Sequence, residues 1–195
     1  PTGARTLRHQ LSLATSVFLV GLPGSGKSTV GRQLARRLGL PFVDVDQAIE
    51  ARIGWSIRTF FEQEGEQAFR DLEAAVIDEV SQGPTSVIST GGGAVLRPEN
   101  RQCMRRRGHV VYLRSSPDEL YRRVRHDRNR PLLQVDDPMA KLRELHAQRH
   151  PLYTQAAHFT IDTGRPSVAT LVNMIVMQLE LAGLTHRPAT DANSA

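Results

Sequence analysis

Cysteine is almost missing from this chain. Cys103 is the single one, so no internal disulfide can form, and its neighbours carry no metal-ligand spacing. The seven histidines are scattered, without the paired spacing of a zinc site. Lysine is scarce too: of 25 basic residues only Lys27 and Lys141 are lysine. Aromatic residues make up 5%, too few for platforms that stack single-stranded nucleic acid. No stretch approaches the ~20 apolar residues of a membrane-spanning helix. Arg5 and Arg8 before Leu11–Leu22 loosely mimic a secretory signal, yet polar residues interrupt that stretch and it runs into a glycine loop. These deficits predict a reducing, cytoplasmic home, with no membrane and no nucleic-acid partner.

What is present fits one domain. The 195 residues leave no room for two, and 39% apolar residues suffice for one continuous core. The net charge is +5. Arginine's planar fork grips a carboxylate or phosphate through two parallel hydrogen bonds, so the excess suits a small anion as well as a nucleic acid.

Short apolar runs alternate with helical patterns. Strands are expected at Val17–Val20, Phe42–Asp46, Ser86–Ser89, His109–Leu113 and His158–Asp162. Helices are expected at about Lys27–Leu38, Gln47–Ile53 and Ile57–Val80, the last broken at Gly65. Others start at Pro98, ending in the arginine-rich turn Arg105–Arg107, and run at about Pro117–Val124, Met139–Arg149 and Ser167–Leu181. Arg125–Asp137 is polar, holds Pro131, and reads as a mobile loop. The expected organisation is a single domain with a core at about 16–181, an N-terminal extension 1–15 and a disordered tail 182–195. Alternating strands and helices predict an α/β fold, a five-stranded parallel sheet sandwiched by helices, with ligands beyond the carboxyl ends of the strands.

Gly21-Leu22-Pro23-Gly24-Ser25-Gly26-Lys27-Ser28 matches the Walker A pattern between a strand and a helix. The glycines let successive N–H groups turn around phosphate oxygens, and the helix beginning at Lys27 aims its positive end there. Lys27 can reach the β- and γ-phosphates of a nucleotide, and the hydroxyl of Ser28 can ligate magnesium. A chance glycine turn would lack that strand–helix setting. The pattern names the nucleotide but not the acceptor.

The acceptor side is less determined. Asp44 and Asp46 project to one side if the second strand continues through them, and diverge if the chain has already turned into a helix. One could support a magnesium-bound water and the other orient a hydroxyl. Equally, Asp46 could cap the helix after it. Arg70 could be a solvated helical charge, or be oriented by Glu66 or Glu73 at helical spacing. Gly91-Gly92-Gly93 suits a backbone that approaches a ligand closely, or a plain tight turn.

Taken together, these pieces resemble the shikimate kinases from about Val17 to about Leu181. The likeness is carried by Gly21 to Thr29, Asp44-Val45-Asp46, Glu64-Gly65-Glu66 with Phe69-Arg70, and Gly91-Gly92-Gly93. It continues in Arg130-Pro131-Leu132-Leu133 and Arg149-His150-Pro151-Leu152-Tyr153. The resemblance implies the P-loop fold of nucleoside monophosphate kinases with a lid loop, and transfer of the ATP γ-phosphate to the 3-hydroxyl of shikimate with Mg2+. It implies ATP contacts from Gly24, Ser25, Gly26, Lys27, Ser28, Thr29, Arg123 and Arg130. It implies metal support from Ser28 and Asp44, and shikimate contacts from Asp46, Arg70, Gly91, Gly92, Gly93 and Arg149. Asp46, Lys27 and Arg130 would be the catalytic groups, and the protein a monomer. A related small-metabolite kinase such as a gluconate kinase would keep the phosphate loop without needing both carboxylate arginines. A ligand-sensing kinase-like module would carry a helix-turn-helix domain, for which the leading segment is too short. A nucleic-acid-binding protein rests on the charge alone.

Overall fold

The computed structural model describes residues 12–13, 15–126 and 134–186. Its elements, in chain order, are β1 (Ser12–Leu13), β2 (Ser16–Val20), α1 (Lys27–Leu38), β3 (Phe42–Asp44), α2 (Val45–Ile53), α3 (Ile57–Gln82) and β4 (Val87–Ser89). A 3-10 turn (Ala94–Leu96), α4 (Pro98–Arg107), β5 (Gly108–Arg114), α5 (Pro117–Val124), α6 (Pro138–Ala156), β6 (Phe159–Asp162), α7 (Val168–Leu181) and β7 (Thr185–His186) follow.

Five strands form one parallel sheet in the order β3-β4-β2-β5-β6. Every residue of β2 is buried, as expected for a strand covered on both faces. Alternation along the strand splits the core in two. Phe18 and Val20 point into a cluster with Ile49, Phe69, Ile77, Met104 and Tyr153 from α2, α3, α4 and α6. Val17 and Leu19 point the other way, onto Val30 and Leu34 of α1 and Ile175 and Leu179 of α7. The expected five-stranded α/β sandwich is therefore the fold.

Three details differ from expectation. β3 ends at Asp44, and α2 begins at Val45 rather than about Gln47. The side chain of Asp44 accepts from the N–H groups of Asp46 and Gln47 and so starts the helix early. α6 does not stop near Arg149 but runs through Pro151 to Ala156. An interior proline costs a helix about 3 kcal/mol, and the fully buried side chains of Tyr153 and Ala156 supply the packing that carries it onward. Outside the expected core, β1 pairs antiparallel with β7; two-residue strands leave no periodicity to read. The break at Gly65 does occur, with φ 85 and ψ 170 inside α3. Residues 1–11 and 187–195, and most of the expected mobile loop (127–133), lie outside the described residues.

Gly108 offers a test of the packing at the strand ends remote from the glycine loops. A Cβ there would lie 2.6 Å from the Ser16 carbonyl oxygen and 2.5 Å from the Phe18 ring. Backbone cannot retreat cheaply, so Gly108→Ala should lose about 1–3 kcal/mol in urea unfolding. Gly83→Ala, whose nearest neighbour would be at 3.5 Å, should stay within about 0.5 kcal/mol. Equal stability of the two variants would contradict this packing.

Candidate active site

β2 delivers the chain to the glycine loop, where Gly24 (φ 84) and Gly26 (φ 90) adopt a conformation that other residues disfavour. Gly26 is the N-cap of α1 and supplies no side-chain cap. The N–H groups of the first turn are thus left for an anion. Lys27 is buried, and its ammonium donates to the carbonyls of Gly21 (2.7 Å) and Leu22 (3.0 Å). A cleft of ≈ 340 Å³ opens here, lined by Gly24, Gly26, Lys27, Ser28 and Thr29 together with Asp44, Asp46, Ser89 and Thr90. Ser25 is the exception among the expected phosphate-loop residues. Its side chain is buried and outside the lining, while its carbonyl accepts from Arg123 at 3.2 Å.

The two aspartates have diverged because the chain turns helical between them. Asp44 Oδ1 takes the N–H groups of Asp46 (3.0 Å) and Gln47 (3.3 Å), and Oδ2 takes the hydroxyl of Ser28 (3.2 Å). The cap is therefore Asp44, not Asp46. Ser28 and Asp44 form a pair of hard oxygen ligands at the cleft, which fits magnesium, an ion that keeps several waters and few protein ligands. Among the described residues no group of three or more His, Cys, Asp or Glu could hold a metal.

Asp46, freed from capping, lines both the cleft and a second cavity of ≈ 210 Å³. Its carboxyl is pushed up to about 6, first by burial and then by the charges of Asp44 and Glu73, with Lys27 pulling the other way. The second cavity also holds Arg70, Glu73, Arg149 and the three glycines, with Ile57, Phe61 and Phe69 as an apolar wall.

Gly92 and Gly93 do lie in a turn, but none of Gly91, Gly92 and Gly93 has a positive φ, so the turn does not by itself require glycine. Space does. A Cβ at Gly91 would lie 2.9 Å from Asp46 Oδ1. At Gly92 it would lie 2.6 Å from Pro23 Cδ and 3.2 Å from Arg149 Nη1, and at Gly93 it would overlap the Arg70 guanidinium. Successive glycines thus rank a carboxylate, then one guanidinium, then another along a single stretch of backbone.

Of the two glutamates at helical spacing, Glu73 is the partner of Arg70, at 2.8 Å. Glu66 stands at 3.7 Å and is exposed. Glu73 is fully buried; burial raises its pKa while Arg70 opposes the rise. The Nε atoms of Arg70 and Arg149 are buried with no hydrogen-bond partner among the described residues. Two such donors in one cavity call for an anion with several acceptor oxygens.

Arg123 stands beside the phosphate loop and donates to the carbonyls of Ser25 (3.2 Å) and Thr163 (2.9 Å). Arg130 lies outside the described residues. Pro23, which borders both cavities, was not among the expected site residues. It occupies a variable position of the Walker A pattern, and nothing local marks it.

With both cavities described, comparison decides the family. A protein-family model for shikimate kinase matches residues 23–180. This chain belongs to the shikimate kinase family. The shikimate kinase of Ralstonia nicotianae is 58% identical over 178 residues, spanning 91% of this chain and 94% of that protein. That of Paracidovorax citrulli is 61% identical over 172 residues, spanning 87% and 94%. A solved shikimate kinase from Acinetobacter baumannii, in complex with shikimate, matches with a TM-score of 0.81 at 43% identity, over 87% of this chain and 94% of that one.

The reassigned cap is testable. Asp44→Asn should unfold in urea within a few tenths of a kcal/mol of the parent, since asparagine caps about as well as aspartate, whereas Asp44→Ala should lose about 1 kcal/mol. Asp46→Ala should show no capping loss. A larger loss at Asp46 than at Asp44 would return the cap to Asp46.

Proposed function

We propose that this chain is a shikimate kinase that transfers the γ-phosphate of ATP to the 3-hydroxyl of shikimate. The observation that carries the reading is the ordering of charge along Gly91-Gly92-Gly93, from Asp46 beside the phosphate cleft to Arg149 and Arg70 at the far end. An acceptor with hydroxyls at one end and a carboxylate at the other has one favourable orientation there. Its carboxylate takes Arg149 and Arg70, and its hydroxyl meets Asp46 next to the phosphates.

Each residue then has a task. The N–H groups of Gly24 to Thr29 surround the nucleotide phosphates, and Lys27 follows the charge that shifts during transfer. By the family resemblance Arg130 joins Lys27 there and Arg123 lies against the adenine. Glu73 holds Arg70 in place. Asp46 orients the attacking hydroxyl and receives its proton; a carboxyl with a pKa of about 6 is mostly ionised at neutral pH yet basic enough to help. Magnesium, held through Ser28 and Asp44, would neutralise the phosphate oxygens. By the family resemblance the chain is a single kinase domain and works as a monomer. Among the described residues no helix is long and apolar enough to cross a membrane.

The direct experiment is ADP release with shikimate, with gluconate and with no acceptor. Shikimate alone should raise the rate; stimulation by gluconate instead would overturn the reading. Asp46→Asn should cut turnover by roughly 10²- to 10⁴-fold with ATP affinity nearly unchanged. In the parent enzyme kcat/KM for shikimate should fall as pH drops below about 6, because the raised pKa leaves Asp46 protonated there. That fall should vanish in Asp46→Asn. A pH profile with the same acid limb in both proteins would remove Asp46 from the chemistry.

A further inference from the structure

Tyr153 is fully buried, two residues past a proline in the interior of α6. Its hydroxyl donates to the carbonyl of Gly92 at 2.5 Å. Its ring packs on Tyr112, with centroids 5.0 Å apart, and the Tyr112 hydroxyl in turn meets His150 Nδ1 at 2.9 Å. Arg149 is one helical turn before Tyr153 on α6. Its Nη1 would stand 3.2 Å from a Cβ on Gly92. A phenol oxygen has one hydrogen to give and two lone pairs to offer. Here the hydrogen goes to the glycine turn that Arg149 stands against.

The glycine turn and Arg149 are parts of the acceptor cavity that belong to different elements. Gly92 follows β4, and Arg149 comes from α6 across the sheet end. Arg149 Nε has no hydrogen-bond partner among the described residues, and no acidic side chain is recorded pairing with it as Glu73 pairs with Arg70. Arginine side chains are long and lose rotamer entropy when held. Something must therefore fix Arg149 before an anion arrives. Pro151, between Arg149 and Tyr153, breaks the hydrogen-bond ladder of α6 at this point, so regular helix geometry does not do it alone.

We propose that Tyr153 is a positioning residue for the acceptor. Its hydroxyl fixes the Gly92 carbonyl, and with it the backbone that Arg149 stands against, and so presets the carboxylate-binding end of the cavity. It does for Arg149 what Glu73 does for Arg70, but with a neutral group, so that no further negative charge enters the cavity. The proposal rests on the reading of Arg149 as a carboxylate ligand.

The test is a double-mutant cycle on the full chain, reading KM and kcat for shikimate and Kd for ATP. Tyr153→Phe keeps the ring and its packing and deletes only the hydroxyl. It should raise the shikimate KM about three- to tenfold, the span of a single lost hydrogen bond, with kcat and ATP affinity nearly unchanged. Arg149→Ala should raise it more, about ten- to a hundredfold for a charge-assisted contact. If Tyr153 acts through Arg149, adding Tyr153→Phe to Arg149→Ala should change the shikimate KM little further. A merely structural tyrosine would lower the unfolding midpoint and leave the KM alone; that result overturns the proposal while Arg149→Ala still weakens shikimate. Additive effects of the two substitutions overturn it as well. An unchanged KM in Arg149→Ala would overturn both the proposal and the carboxylate role beneath it.

Discussion

Between β4 and the 3-10 turn the backbone passes so close to Asp46, Pro23, Arg149 and Arg70 that a Cβ on any of three consecutive residues would force a neighbour to shift. The site depends on this approach. It brings two guanidiniums and a carboxylate onto one strip of chain, at a place where β4 has just emerged from the sheet. Removing polar groups from water is costly unless they are partnered. Glu73 offsets part of that cost for Arg70. The rest stays as donors waiting for acceptors, which is how an anion site differs from a structural ion pair.

The same closeness sets the chemistry of Asp46. Burial and two neighbouring carboxylates push its pKa up, and Lys27 restrains the rise. Asp44 contributes twice, by its charge and by starting α2 early enough that Asp46 is released toward the cavities.

Much of this was legible in the sequence. The phosphate loop could be read because glycines, lysine and serine at fixed spacing have one common mechanism. The five strands could be read because parallel strands are continuous apolar runs. The α2 start could not, since Asp44 and Asp46 are both good caps and only the end of β3 decides between them. The extension of α6 through Pro151 was hidden because local rules end a helix there, whereas Tyr153 and Ala156 hold it from the core. The three glycines could be singled out, but their reason could not. It lies in side chains 18 to 69 positions away in sequence that press against them.

Gly92 deserves its place at the centre of that strip. Pro23 of the phosphate loop and Arg149 both crowd the place that a Cβ on Gly92 would take, and Tyr153 holds its carbonyl. Phosphoryl transfer needs two substrates held in line, and displacement of either by about an ångström is costly. Long side chains are poor at such registration because each carries several soft torsions. A rigid proline ring against a glycine backbone has almost none. The phosphate loop and the acceptor pocket therefore share a contact with little freedom, and the position of one is passed to the other through backbone rather than through charge. Electrostatics can then attract both anions without also having to align them.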